Sequence, residues 1–99
     1  MKRIKELVDK IEDELEGAKE YAESYLDYKV KGNNSRATQL KSMAQDELNH
    51  ANNIHEIAVS EIAELRKVYT PPVEMEEVWE KSHKEFVERA AWIKQMLAM

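Results

Sequence analysis

Four consecutive residues, Glu47-Leu48-Asn49-His50, place a carboxylate and an imidazole three positions apart in a stretch with helical periodicity. Residues three apart on a helix lie on the same side, one turn from each other. The apolar stripe around them is Leu40, Met43, Ala44, Ala51, Ile54, Ala58, Ile62 and Leu65. At about 100° per residue, Glu47 falls within roughly 20–30° of that stripe's centre. His50 falls at its edge. A carboxylate placed among apolar side chains costs several kcal/mol in order of magnitude unless it is paired or bound to a cation. A metal ion would resolve that cost.

The preceding helical stretch offers one acid near its own apolar face, Glu14. Glu12, Asp13, Glu16, Glu20 and Glu23 point away from that face by roughly 90° or more. Glu14, Glu47 and His50 together have the ligand types of half a carboxylate-bridged two-metal site. Two copies would supply four carboxylates and two imidazoles. Oxygen and imidazole ligands suit iron, manganese or zinc, and the ligand set alone does not choose among them.

The elements that must position these residues read as three helices, an all-α chain forming one domain. The first spans about residues 2–30, with Ile4, Leu7, Val8, Ile11, Leu15, Ala18, Ala22 and Tyr25 at spacings of three and four. Lys31-Gly32-Asn33-Asn34-Ser35 breaks the pattern and supplies a glycine C-cap and Asn or Ser N-caps. The second helix spans about 36–69 and stops at Thr70-Pro71-Pro72. The third spans about 73–97, with Met75, Trp79, Phe86, Ala90, Ile93 and Leu97 on one face. The short first loop makes helices 1 and 2 an antiparallel hairpin. Two hairpins from two chains would form a four-helix bundle. The third helix would flank its own hairpin or cross to the partner.

Composition narrows the function classes. A chain of 99 residues buries only a thin core, so a homodimer or larger homo-oligomer is expected. Charged residues make up 35% and Gly and Pro two each, which favours long helices over sheet. A net charge of −5 argues against nucleic acid as a partner. With no cysteine, disulfides, thiol catalysis and iron–sulfur clusters are excluded on this chain. The first residues, Met1-Lys2-Arg3-Ile4-Lys5-Glu6, contain no apolar leader region, and no run approaches the roughly 18 apolar residues that span a bilayer. The expectation is a cytoplasmic protein with no membrane partner.

The segment from Glu14 to Tyr21, followed by Glu47-Leu48-Asn49-His50-Ala51, resembles the ferritin-like superfamily, above all rubrerythrins and short encapsulated ferritins. In those proteins a helix-1 Glu precedes a Tyr by seven residues, as Glu14 precedes Tyr21. A Glu-x-x-His follows about thirty residues later; here the separation is 33. The resemblance covers roughly residues 10–60. It implies a di-iron or di-manganese carboxylate site completed at a homodimer interface, and ferroxidase activity if iron is bound. Glu47 would bridge the metals, Glu14 would be a bridging or terminal ligand, and His50 a terminal nitrogen ligand. A looser resemblance covers most of the chain and is to short ferritin-like proteins of phages of Gram-positive bacteria. It rests on Tyr21-Ala22, Glu47-x-x-His50 with His55, Pro71-Pro72 and His83, and implies no activity. The 99 residues hold one Glu and one Glu-x-x-His of that pattern, where full-length ferritins and rubrerythrins hold two of each. They also show no shell-targeting peptide.

Plainer readings stand beside these. Glu-x-x-His arises readily in Glu-rich helices, and Glu80-x-x-His83 is a second copy. Glu47 leaning to solvent or pairing with a Lys or Arg would leave a metal-free helical module for self-association or partner binding. Glu16 and Glu20 are weaker substitutes for Glu14. His83 near Trp79 and Phe86 reads as a core histidine with a hydrogen bond, and His55 flanks the second helix's stripe. Glu61 reads as an interhelical pairing residue. Tyr21 and Tyr25 read as packing residues, with Tyr21 a donor to a bound carboxylate if metal is present. Trp79 and Trp92 read as hydrophobic anchors for the third helix.

Overall fold

The computed structural model describes residues 2–99. Three helices follow one another: α1 Lys2–Val30, α2 Asn34–Val68 and α3 Val73–Ala98. The expected all-α class holds, and the described residues form a rod of about 55 × 17 × 17 Å.

The turns explain the boundaries. Gly32 has φ +79°, a conformation that L side chains rarely adopt, and it ends α1. The Asn33 amide donates to the Tyr28 carbonyl at 2.9 Å and the Gly32 amide to that of Lys29 at 3.1 Å. This is the glycine C-cap motif, which satisfies carbonyls the helix leaves open. The Asn33 side chain then accepts from the Arg36 amide at 3.1 Å, so α2 begins at Asn34, two residues before the sequence reading placed it. At the other end Tyr69 is extended and the Pro72 carbonyl starts α3 by accepting from Met75 at 3.1 Å. The Arg66 guanidinium grips both Glu76 carboxylate oxygens across this turn.

α1 and α2 pack as the expected antiparallel hairpin. Ala37, Ala44, Ala51 and Ala58 recur every seventh residue on α2, and all are buried. On α1 the buried residues Ile4, Ile11, Ala18 and Tyr25 recur at the same spacing, as do Val8, Leu15 and Ala22. Seven-residue repeats of this kind keep one seam facing its partner along the whole length of two helices. The Arg3–Glu61 ion pair, 3.3 Å, marks the register near one end. Such exposed pairs contribute about 0–1 kcal/mol each, so the buried seam carries the stability.

α3 lies along the hairpin, on its own chain's α1, and runs parallel to it. Met75, Trp79, Ile93, Met96 and Leu97 bury against it. Arg89 pairs with Glu16 at 3.0 Å, and Lys29 donates to the Met99 carbonyl where α1 and α3 end together. This placement moves the apolar centre of α2. Leu48, outside the stripe read from sequence, is buried beside α3, whereas Leu40, Met43, Ile54 and Leu65 are only half-buried. By helix geometry the true buried line lies about 60° from Glu47. No helix among the described residues is long and apolar enough to cross a membrane.

Ser82 on α3 is buried at 5% exposure, and its hydroxyl has no hydrogen-bond partner among the described residues. It faces a recess of about 320 Å³ between α1 and α3 shared with Ile4, Val8 and Met75. An unsatisfied buried hydroxyl costs about 1–3 kcal/mol. Ser82→Ala is therefore expected to raise stability by about 1 kcal/mol in urea unfolding. A loss of stability would show that the hydroxyl has a partner after all.

Candidate metal centre

The hairpin has two faces, and α3 covers one. On α1, Glu16 faces α3; Glu14 lies about 200° around the helix from it. On α2, Leu48 and Asn49 line the groove beside α3, and Glu47 points the other way. Glu14, Glu47 and His50 thus sit on the uncovered face, at mid-length of the rod.

The structure brings all three together. One ligand atom from each lies within 4.8 Å of the other two. His50 Nδ1 is 3.6 Å from Glu14 Oε2 and 3.6 Å from Glu47 Oε1. Glu14 and Glu47 keep 28% and 26% side-chain exposure and His50 keeps 55%, so the cluster is a half-open surface cleft and not the core site that the stripe suggested. This follows from the displaced apolar line. Glu16 and Glu20, the weaker substitutes, are exposed, and Glu16 is committed to Arg89. Glu61 pairs with Arg3, as an interhelical pairing residue should. Tyr25 is buried and Tyr21 half-buried against the core. Trp79 anchors α3 as read, but Trp92 is 54% exposed and is not one of the core residues.

One residue of the site escaped the sequence reading. A Cβ built on Gly17 would meet Glu47 Oε2 at 2.9 Å, closer than ordinary packing permits. Gly17 lies one turn after Glu14, so the bare backbone of α1 forms the floor on which the Glu47 carboxylate rests. A glycine in mid-helix costs about 1 kcal/mol relative to alanine. That cost at position 17 was the available signal.

Electrostatics make the cluster receptive to positive charge. The Glu47 carboxyl is held above the ordinary 4.5, first by a hydrogen bond shared with Glu14, then by burial and by the Glu14 charge; His50 opposes the rise. Two carboxylates sharing one cleft disfavour the doubly ionised form, and a proton or a cation between them relieves this.

His55 and His83 lie elsewhere, paired with each other between α2 and α3. Among the described residues, no other group of three or more His, Asp or Glu side chains converges in this way. Comparison with family models, curated proteins and solved structures finds no match. The resemblance to ferritin-like proteins therefore rests on the residues alone.

The raised Glu47 value has a defined consequence for metal-free protein. A carboxyl whose folded value lies above its unfolded one adds stability below the unfolded value and loses it as pH rises through the folded one. Glu47→Gln mimics the protonated form. It is expected to be more stable than the parent at pH 7, with the difference closing as pH falls toward 4.5. Parallel melting curves across this range check it. A Glu47→Gln protein less stable than the parent at pH 7 would mean that the carboxylate is held by His50 rather than strained by Glu14.

Proposed function

We propose that this chain is a metal-binding, ferritin-like helical protein. Its Glu14, Glu47 and His50 hold iron or manganese as half of a two-metal carboxylate site completed by a second copy of the chain. The observation that carries this reading is the convergence of the three donors on the face that α3 leaves open. Half-buried Tyr21, Leu40, Met43 and Ile54 flank the cluster, which suits closure by another hairpin.

The donor set fits such an ion. Carboxylate oxygens and a neutral imidazole nitrogen are ligands for divalent iron, manganese and zinc. A cation would relieve the repulsion between Glu14 and Glu47 that raises the Glu47 carboxyl. Each residue has a definable part. Glu47, over the bare Gly17 backbone, would bridge. Glu14 supplies a second oxygen from the facing helix, and the exposed His50 supplies nitrogen at the mouth of the cleft. Bound iron would give the site Fe(II) oxidation by dioxygen, the ferroxidase reaction. A bundle in which Glu47 leans to solvent or pairs with a Lys or Arg is the competing reading, a metal-free module for self-association or partner binding.

Metal content by mass spectrometry, on protein grown with iron and manganese, separates the two when combined with mass in solution. About one metal per chain in a dimer is expected, with occupancy lost and the fold kept in Glu47→Ala. A dimer free of metal would leave the self-association module. Glu47→Leu sharpens the contrast. It should be neutral or stabilising in a metal-free bundle, but should abolish metal-dependent stabilisation in a metal site.

Gly17→Ala tests the cleft without touching a ligand. The new methyl displaces only the end of a flexible side chain, and alanine favours the helix by about 1 kcal/mol. Melting temperature should hold or rise while metal affinity falls about tenfold or more, as for losses in the shell supporting a ligand. Unchanged affinity would show that Glu47 binds metal from another position or not at all.

A further inference from the structure

His55 on α2 and His83 on α3 point ring nitrogens at each other, Nε2 to Nδ1, at 2.9 Å. His55 is held in place. Its ring stacks on Phe86 with centroids 4.4 Å apart and planes 12° apart, and Trp79 lies against it at 5.1 Å. His83 is exposed, and its ring stacks on that of His55 with centroids 5.1 Å apart and planes 29° apart.

We propose that His55 and His83 form a second metal site, independent of the carboxylate cluster: a two-nitrogen cleft for a divalent ion of the copper or nickel type that clasps α3 to α2. The separation admits a chelated ion, and the ligand type decides which ion is favoured. With metal–nitrogen bonds of about 2.0–2.1 Å, two ligands on one ion stand about 2.9 Å apart at right angles and about 3.3–3.4 Å apart in a tetrahedron. The hydrogen-bonded rings, 2.9 Å apart, are within a small adjustment of either span, and among divalent ions nitrogen ligands hold copper(II) most tightly, with nickel(II) below it.

The chemistry of the pair agrees. Burial first, then the neighbouring His83, hold the His55 imidazole below its ordinary 6.5, with Glu56 opposing. His55 is therefore neutral at pH 7, and a neutral imidazole is the metal-binding form. In the hydrogen-bonded pair the lone pair of one ring points at the proton of the other. Binding a metal requires the donor ring to move that proton to its other nitrogen, so that both facing nitrogens carry lone pairs, and tilts the rings so that these converge off the line between them. The exposed His83 ring can make that adjustment while Phe86 and Trp79 fix His55. The Arg66–Glu76 pair ties α2 to α3 near the turn, and a clasp at His55 and His83 would fasten α3 further along its length.

The experiment is a copper(II) titration followed by tryptophan fluorescence in the full chain carrying Trp92→Phe, which leaves Trp79 as the sole indole. Copper(II) held at His55 would lie beside Trp79 and quench it. Quenching is expected to saturate at one copper per chain, to persist with Glu47→Ala, and to weaken about tenfold or more with His83→Ala or His83→Gln. The exposed position of His83 leaves both variants folded, which circular dichroism checks. Nickel(II) and copper(II) should raise the melting temperature of the parent and not of the His83 variants. Quenching within twofold of the parent in both His83 variants, or none in the parent, would overturn the proposal. Quenching lost in Glu47→Ala instead would assign the copper to the carboxylate cluster and overturn it equally.

Discussion

The structure depends on the alanine seam between α1 and α2. Packing distance between helices is set by the side chains at the contact, so a line of alanines lets two long helices approach closely. Ala37, Ala44, Ala51 and Ala58 form that line on α2, and α1 answers with large residues at Ile4, Ile11 and Leu15 but small ones at Gly17, Ala18 and Ala22. Mid-rod is therefore where both helices are small. There the short reach of a Glu suffices to cross from one helix to the other, and there Glu47 meets Glu14.

Close approach also explains why the seam leaves a cleft rather than a core site. A thin two-helix seam buries little beyond its alanines, so the flanking residues are buried only where a third element lies. α3 supplies that cover on the Leu48 side. On the other side, Leu40, Met43 and Ile54 stay half-buried around Glu47 and His50. One helix placed on one face thus decides both which apolar residues are core and which polar residues face outward. The same asymmetry sets His55 apart from His50. Five residues along α2 carry the chain round to the α3 side, where an imidazole meets aromatic rings instead of carboxylates.

Much of the fold was legible in sequence because the signals were local. Gly32 and Asn33 mark the first turn and Pro71-Pro72 the second, and each boundary follows from backbone chemistry within a few residues. The periodicity of α1 names its eight buried residues without error. α2 was less legible. Its apolar residues spread widely, from Met43 round to Leu48, which lies beyond the stripe read from sequence, and only the position of α3 decides which part is buried. Periodicity carries no information about a third helix, so Glu47 seemed central when it lies about 60° to one side. The convergence of Glu14, Glu47 and His50 was legible because an antiparallel hairpin with a short loop fixes its own register. The pairing of His55 with His83 was not, because it depends on how α3 settles against α2. Gly17 was visible only as an unexplained weak point in a helix, and a glycine acquires meaning only when the side chain above it is known.

The half-open position of the cluster bears on what it can do. A carboxylate pair sealed in the core would stay protonated, and an ion would need to strip a proton and unfold a lid to enter. A pair fully in water would ionise freely and hold a cation weakly, since exposed charges are screened. Glu14 and Glu47 lie between these limits. They are buried enough to disfavour two adjacent negative charges and open enough, through His50, for an ion to reach them without unfolding the hairpin. The shared hydrogen bond, burial and the Glu14 charge press the Glu47 carboxyl toward its neutral form, and His50 presses the other way. A positive charge in the cleft would meet both carboxylates at once, and any surface laid over the same face would strengthen that attraction by excluding water.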